Sequence, residues 1–244
     1  MKRILLLVLA LLTLPALAGE AEIRQALKSK FPSIKIDGIQ PAPMPGLFEV
    51  RFQTQQGPQI IYTDSMGSFL FVDGSLVDAK TGRNLTEERM QKLTAIEFSA
   101  LPLDLAVKVQ RGNGKRQVAM FTDPYCPYCR RLEQTLLQVD DITVYVFMFP
   151  VIRPDNADHS RAVWCAPDRA KAWLELAAND TPKVPAGGAN CANPVDKVLE
   201  LGRSLRVNGT PTLFFPNGER ASAAWTVEQL RAKLDATARV AAKK

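Results

Sequence analysis

Two periodicities alternate along the chain and divide it into a strand-rich first part and a mixed second part. Ile23, Ala26, Leu27 and Phe31 fall on one face of a short amphipathic helix over 20–31, which Pro32 stops. From Ser33 to Asp78 the period shortens to two. Phe48, Val50 and Phe52 alternate with Glu49, Arg51 and Gln53, which predicts a half-buried strand with the charged residues outward. Residues 59–63 and 68–72 read as further strands, with turns at 64–67, Asp73-Gly74 and Thr81-Gly82. Thr86 opens a helix carrying Glu87 and Glu88 in its first turn and a thin apolar stripe of Met90, Leu93, Ile96 and Ala100. Pro102 ends it. So narrow a stripe between two domains reads as a rod-like connector. Beyond it, 105–110, 117–121, 142–149 and 210–215 read as strands. Helical spacing follows Cys129, covers 162–178 and 195–205, and closes the chain over 227–240.

The chemistry gathers where one strand turns into a helix. Gln117-Val-Ala-Met-Phe121 is apolar, and Leu132, Leu136, Leu137 and Val139 recur at helical spacing. Between them lies Thr122-Asp-Pro-Tyr-Cys126-Pro-Tyr-Cys129. The first thiol then meets the positive end of a helix macrodipole and its free N–H groups, which favour the thiolate. This predicts Cys126 as an exposed nucleophile and Cys129, one turn in, as the buried resolving thiol. Pro127 has no N–H to lose in a first turn. A static bridge would close a tight, reducible loop. A structural zinc site wants a second cysteine pair or a histidine pair, and the chain has one histidine, His159, which reads as a surface residue in a polar loop. No metal and no cofactor is expected.

Residues 1–18 do not read as part of the fold. Lys2-Arg3, an apolar core from Ile4 to Leu12, and Ala16-Leu-Ala18 form the pattern of a cleaved export signal, too short to span a bilayer. Export places the four cysteines in an oxidising compartment. The chain's net charge of +6 falls by two, to +4, once Lys2 and Arg3 are removed. The charges are interspersed, which does not suggest nucleic acid. The 19–82 unit is small for a self-sufficient core, so it either pairs with a second copy or rests on its own partner domain.

Cys165 and Cys191 flank a stretch with no helix start beside a nucleophile. We read a structural disulfide, with a second redox pair as the alternative. Four cysteines allow three connectivities. Joining Cys126 to Cys129 and Cys165 to Cys191 is the one consistent with a reactive first pair. Gly209-Thr210-Pro211 precedes an apolar strand, where a proline is confined to an edge or a start. A cis Thr210–Pro211 bond would turn backbone polar groups toward a neighbour; a trans proline at a strand start is the plainer reading.

Taken together, Phe121-Thr-Asp-Pro-Tyr-Cys126-Pro-Tyr-Cys129, Trp164-Cys165-Ala, Cys191, Gly209-Thr210-Pro211 and Asn217-Gly218 resemble the DsbC/DsbG family of periplasmic disulfide isomerases. So do Asp73-Gly74, Val77-Asp78 and Leu85-Thr86 in the first half. The resemblance implies a fold and an assembly. An α+β cystatin-like dimerisation domain covers 19–82 and a linker helix 83–101. An α/β thioredoxin-like domain covers 102–244, with a helical insertion at about 153–202. A V-shaped homodimer follows. It further implies that Cys126 attacks wrong disulfides in exported client proteins and that Cys129 resolves the mixed disulfide. Thr210 and cis-Pro211 shape the client site, beside Pro127 and Tyr128, and a membrane thiol reductase returns the pair to its reduced form. Pro127-Tyr128 stands where DsbC-type sequences have Gly-Tyr, as in DsbG-type sequences, and this dipeptide tunes thiol pKa and potential. Two other functions fit the same residues. One is an oxidase that donates its disulfide. The other is a client-binding holdase with little redox turnover. Tyr125, Tyr128 and Phe149 are candidates for an apolar rim.

Overall fold

The computed structural model describes residues 18–153, 156–177, 190–222 and 225–241. The export segment expected over 1–18 lies outside them except for Ala18, and so does most of 181–190, whose prolines and glycines predict a loop. The chain forms two compact units, one ending at Met90 and the other beginning at Gln91. Among the described residues no helix is long and apolar enough to cross a membrane.

In the first unit, α1 (Ala18–Lys30) lays Ile23 and Leu27 on a four-stranded antiparallel sheet. Its strands are β1 (Lys35–Pro41), β2 (Leu47–Thr54), β3 (Gly57–Asp64) and β4 (Leu70–Phe71), in that order. Ile39, Val50 and Ile61 stand side by side in register and complete the core. The expected alternation in β2 fails at Glu49, which is buried. The Arg89 guanidinium, 3.1 Å away, neutralises it and also reaches Gln40, and Arg51 lies at 3.7 Å. A buried carboxylate is tolerated where it is paired. The expected strand over 68–72 shrinks to two residues. The Asp64 carboxylate accepts the backbone N–H groups of Met66, Ser68 and Phe69 and wraps the chain into a turn. This leaves Phe69, Phe71 and Val72 exposed at 73%, 58% and 60% beside the sheet's edge.

The connector is not one rod across 83–101. Helix α2 runs only Leu85–Leu93, capped by the Asn84 side-chain Oδ1, which accepts the Glu87 N–H, rather than opened by Thr86. Thr86 is engaged with Tyr62 and the Leu76 N–H. A one-turn 3-10 segment follows at Phe98–Ala100. The helical ladder stops because the Ile96 N–H donates to the Gly218 carbonyl.

The second unit is a five-stranded sheet. Its strands are β5 (Val107–Arg111), β6 (Arg116–Thr122), β7 (Ile142–Met148), β8 (Thr212–Phe214) and β9 (Arg220–Ala221), ordered β5-β7-β6-β8-β9. Only β6 and β7 pair in parallel. Strand β6 is apolar on both sides because both are covered. Val118 and Met120 face α3 (Pro127–Leu136), α5 (Arg169–Ala177) and α7 (Val227–Ala241) through Leu132, Leu136, Trp173, Leu230 and Leu234. Ala119 and Phe121 face the opposite cluster, with Val198 of α6 (Val195–Ser204) and Phe147, Phe149 and Phe214. The Phe121 and Phe147 rings stack with centroids 4.7 Å apart.

Two helical expectations change here. The single helix over 162–178 is two, α4 (Asn156–Cys165) and α5, broken at 166–168. Pro167 cannot donate a helical bond, and Asp168 caps the new start through the Lys171 N–H. Leu137 is exposed because α3 ends at Leu136, while Val139 is buried past the helix end.

Candidate redox site

The strand-to-helix step is built around one buried carboxylate. Asp123 follows β6 directly and is fully buried. Its Oδ1 accepts the Tyr125 N–H at 2.9 Å. Its Oδ2 accepts the N–H groups of Val151 and Ile152 at 2.9 and 3.0 Å, and its carbonyl takes the Cys126 N–H at 3.0 Å. One side chain thus fixes the turn before Cys126 and the loop after β7. Cys126 is the N-cap residue of α3, with extended backbone, and Pro127 begins the helix. The first turn's free N–H groups and the helix dipole's positive end lie at the thiol, which is where an anionic sulfur is stabilised.

Cys126 is not the exposed residue the sequence suggested. It is 4% exposed, because the loop carrying Thr210 covers it, and its Sγ donates to the Thr210 carbonyl at 3.3 Å. The Thr210–Pro211 bond is cis. The Pro211 carbonyl accepts the Ser222 hydroxyl, and Thr212 donates to the Gly209 carbonyl, so the loop is held from both sides. Cys129 sits one turn deeper, at 1% exposure. Burial pushes its thiol up to about 12; the Thr122 side chain, the Asp123 backbone and Thr210 only partly offset this. The two thiols therefore sit in unlike surroundings, one at a helix start and one in the interior.

Cys126, Cys129, Thr210 and Pro211 lie together, with Pro127 and Tyr128 on the open side. Tyr128 is 63% exposed, with the Arg131 guanidinium 5.7 Å from its ring centre. Phe149 is buried in the second core and cannot line a rim. Cys165 and Cys191 form a disulfide with Cα atoms 5.7 Å apart.

Three residues near the site escaped sequence reasoning. His159 is not a loop residue; it lies on α4, and its Nδ1 is hydrogen-bonded with the hydroxyl of Tyr125, the neighbour of Cys126. Nothing in the spacing of the chain announces that contact. Asp123 could have been read as a turn-forming side chain, since aspartate bonds the backbone two residues on. Glu133 shares the face of Cys129, Leu132 and Leu136, which the helical period places inward. Burial raises its carboxyl to about 7, against the Trp173 indole N–H at 2.8 Å and the nearby Arg111 charge.

The chain is similar to known proteins. Residues 103–238 match the thioredoxin-like domain model, and residues 15–87 match the disulfide bond isomerase protein N-terminal domain. The probable thiol:disulfide interchange protein DsbC of Bordetella avium is 41% identical over 212 residues, covering 87% of this chain and 73% of the relative. The thiol:disulfide interchange protein DsbC of Escherichia coli is 29% identical over 209 residues, covering 83% and 82%. A disulfide interchange protein from Neisseria gonorrhoeae, of known crystal structure, matches with a TM-score of 0.54 and 44% identity, over 57% of this chain and 99% of that one. Two domain models in this order, a DsbC relative aligned over most of both chains, and a dithiol at a helix start make this chain a member of the DsbC family of thiol:disulfide interchange proteins.

Proposed function

We propose that this protein repairs wrong disulfides in exported client proteins, with Cys126 as nucleophile and Cys129 as resolving thiol. The observation that carries the reading is the Cys126 sulfur at the start of α3, facing the Thr210 carbonyl. The Cys126 thiolate attacks a client S–S bond; one S–S bond forms, one breaks, and a client thiolate leaves. That thiolate attacks another client disulfide and frees a second client thiolate, which attacks the client sulfur bonded to Cys126; the mixed disulfide breaks, the Cys126 thiolate leaves, and no electrons are gained or lost. This is isomerisation. In the other branch Cys129 gives up its proton and attacks the Cys126 sulfur. The client departs with two thiols, and Cys126–Cys129 becomes a disulfide. A membrane thiol reductase then restores the dithiol. Thr210 and Pro211 border the client backbone, with Pro127 and Tyr128 beside it. The Cys165–Cys191 bond serves structure.

The setting we assign is the periplasm, reached by export and removal of residues 1–18. Fractionation with N-terminal sequencing of the mature chain tests this; a chain beginning at Met1 would count against it. The assembly we assign is a homodimer made through the first unit. Phe69, Phe71 and Val72 support this, since exposed apolar residues beside a sheet edge mark a surface that pairs. Ultracentrifugation of the chain lacking 19–82 should give a monomer; a monomeric full chain would refute the dimer. For the activity, a scrambled multi-disulfide protein is refolded with wild type and with Cys126→Ser. Equal recovery would sink the repair function. Predominantly oxidised Cys126–Cys129 in native extracts would favour an oxidase instead.

A further inference from the structure

The outer face of α3 carries a basic shelf. Pro127, Arg130, Arg131 and Gln134 recur at i, i+3, i+4 and i+7, which sets them on one side of the helix. They line an open cavity of about 260 Å³. The helix's one acid, Glu133, is buried on the opposite side against Trp173, so it does not cancel this charge at the surface. The Arg130 N–H donates to the Cys126 carbonyl at 3.1 Å, so the shelf begins one turn from the reactive sulfur. Arg131 is exposed and leans over the exposed Tyr128 ring.

The geometry points to a charge filter: Arg131, with Arg130 lining the same shelf, favours client segments with carboxylates beside the cysteine under attack. The inference rests on the interchange chemistry proposed above and adds a substrate class to it. In a mixed disulfide with Cys126, the N-cap of α3, client residues that extend past Pro127 and Tyr128 would pass over the first two turns of α3. A carboxylate there meets the helix's positive end and a guanidinium together. A lysine there meets repulsion from both. The Tyr128 ring offers an apolar surface beside the charge, which suits a segment mixing acids with apolar residues.

The test uses the full-length reduced protein and three peptides, each activated as a mixed disulfide with neutral thiopyridine. They differ only beside the cysteine: glutamate, lysine or serine. Rates are normalised to the serine peptide. At low salt the glutamate peptide should react about two- to fivefold faster than the lysine peptide, within the range that exposed ion pairs allow. At about 0.5 M salt the ratio should approach one. Arg131→Glu should invert the ratio and Arg131→Gln should reduce it. Lys108→Glu, at an exposed position of β5 and with the same change in net charge, should leave it in place. A wild-type ratio of one, or equal effects of Arg131→Glu and Lys108→Glu, would overturn the filter. Failure of the serine peptide to react at all would instead overturn the interchange chemistry beneath it.

Discussion

The second unit contains two cysteine pairs with opposite placements. Cys126 caps the beginning of α3, while Cys165 is the last residue of α4. A helix is electropositive at its start and electronegative at its end. The free thiol of Cys126 thus sits at the electropositive start of its helix, and the disulfide-bonded Cys165 at the electronegative end of its own. Exposure runs the other way. Cys191 is exposed and Cys165 half-buried, yet these two are joined, while the proposed reactive pair is covered. On the function proposed above, a client would have to pass the Thr210 loop to reach Cys126, whose Sγ bonds the Thr210 carbonyl.

The sharpest way to break this contrast is Cys126→Ser. Interchange should fall to the uncatalysed background in an insulin-type reduction assay, while the far-ultraviolet spectrum stays native. Substantial remaining turnover would mean the wrong sulfur had been assigned. Removing the other pair by Cys165→Ala with Cys191→Ala should do the reverse. Unfolding stability should drop by about 3–4 kcal/mol in a denaturant titration. The rate of Cys126 alkylation per folded molecule should persist. Loss of that alkylation would show that the pair serves chemistry as well as structure.

The surroundings of α3 allow two finer tests. The Glu133 carboxyl is raised from 4.5 to about 7, so the folded protein keeps a proton that the unfolded chain has lost across that interval. Stability from this group is complete below 4.5 and is lost as pH rises through about 7. Glu133→Gln keeps an acceptor for the Trp173 indole but removes the titration. It should raise stability at pH 8 by at most about 3 kcal/mol and flatten the decline between pH 5 and 8, measured by thermal unfolding. Asp123→Asn keeps the shape but turns one acceptor oxygen into a donor facing backbone N–H groups. It should cost about 2 kcal/mol and slow Cys126 alkylation, whereas a silent variant would show that the carboxylate is dispensable.

Much of the second unit could be read in the chain, because its signals are local. The apolar run Val118–Phe121, Pro127 at a helix start and the spacing Leu132–Leu136 each act within a few residues. Errors arose where a distant partner decides. Glu49 is buried because Arg89 reaches it across forty positions. The connector stops at Leu93 because Gly218 captures Ile96. His159 reaches the site only because α4 folds back onto Tyr125. The local sequence predicts an exposed Cys126 because the loop that covers it lies more than eighty residues away. Pro167 is a local signal for the break at 166–168.

Asp123 has a practical meaning for anyone transplanting this dithiol. Cys-Pro-Tyr-Cys grafted onto another strand–helix junction would copy the letters and leave behind the clasp that joins the turn to residues 151 and 152. The smallest portable unit is therefore two separate pieces of chain and the acid that ties them.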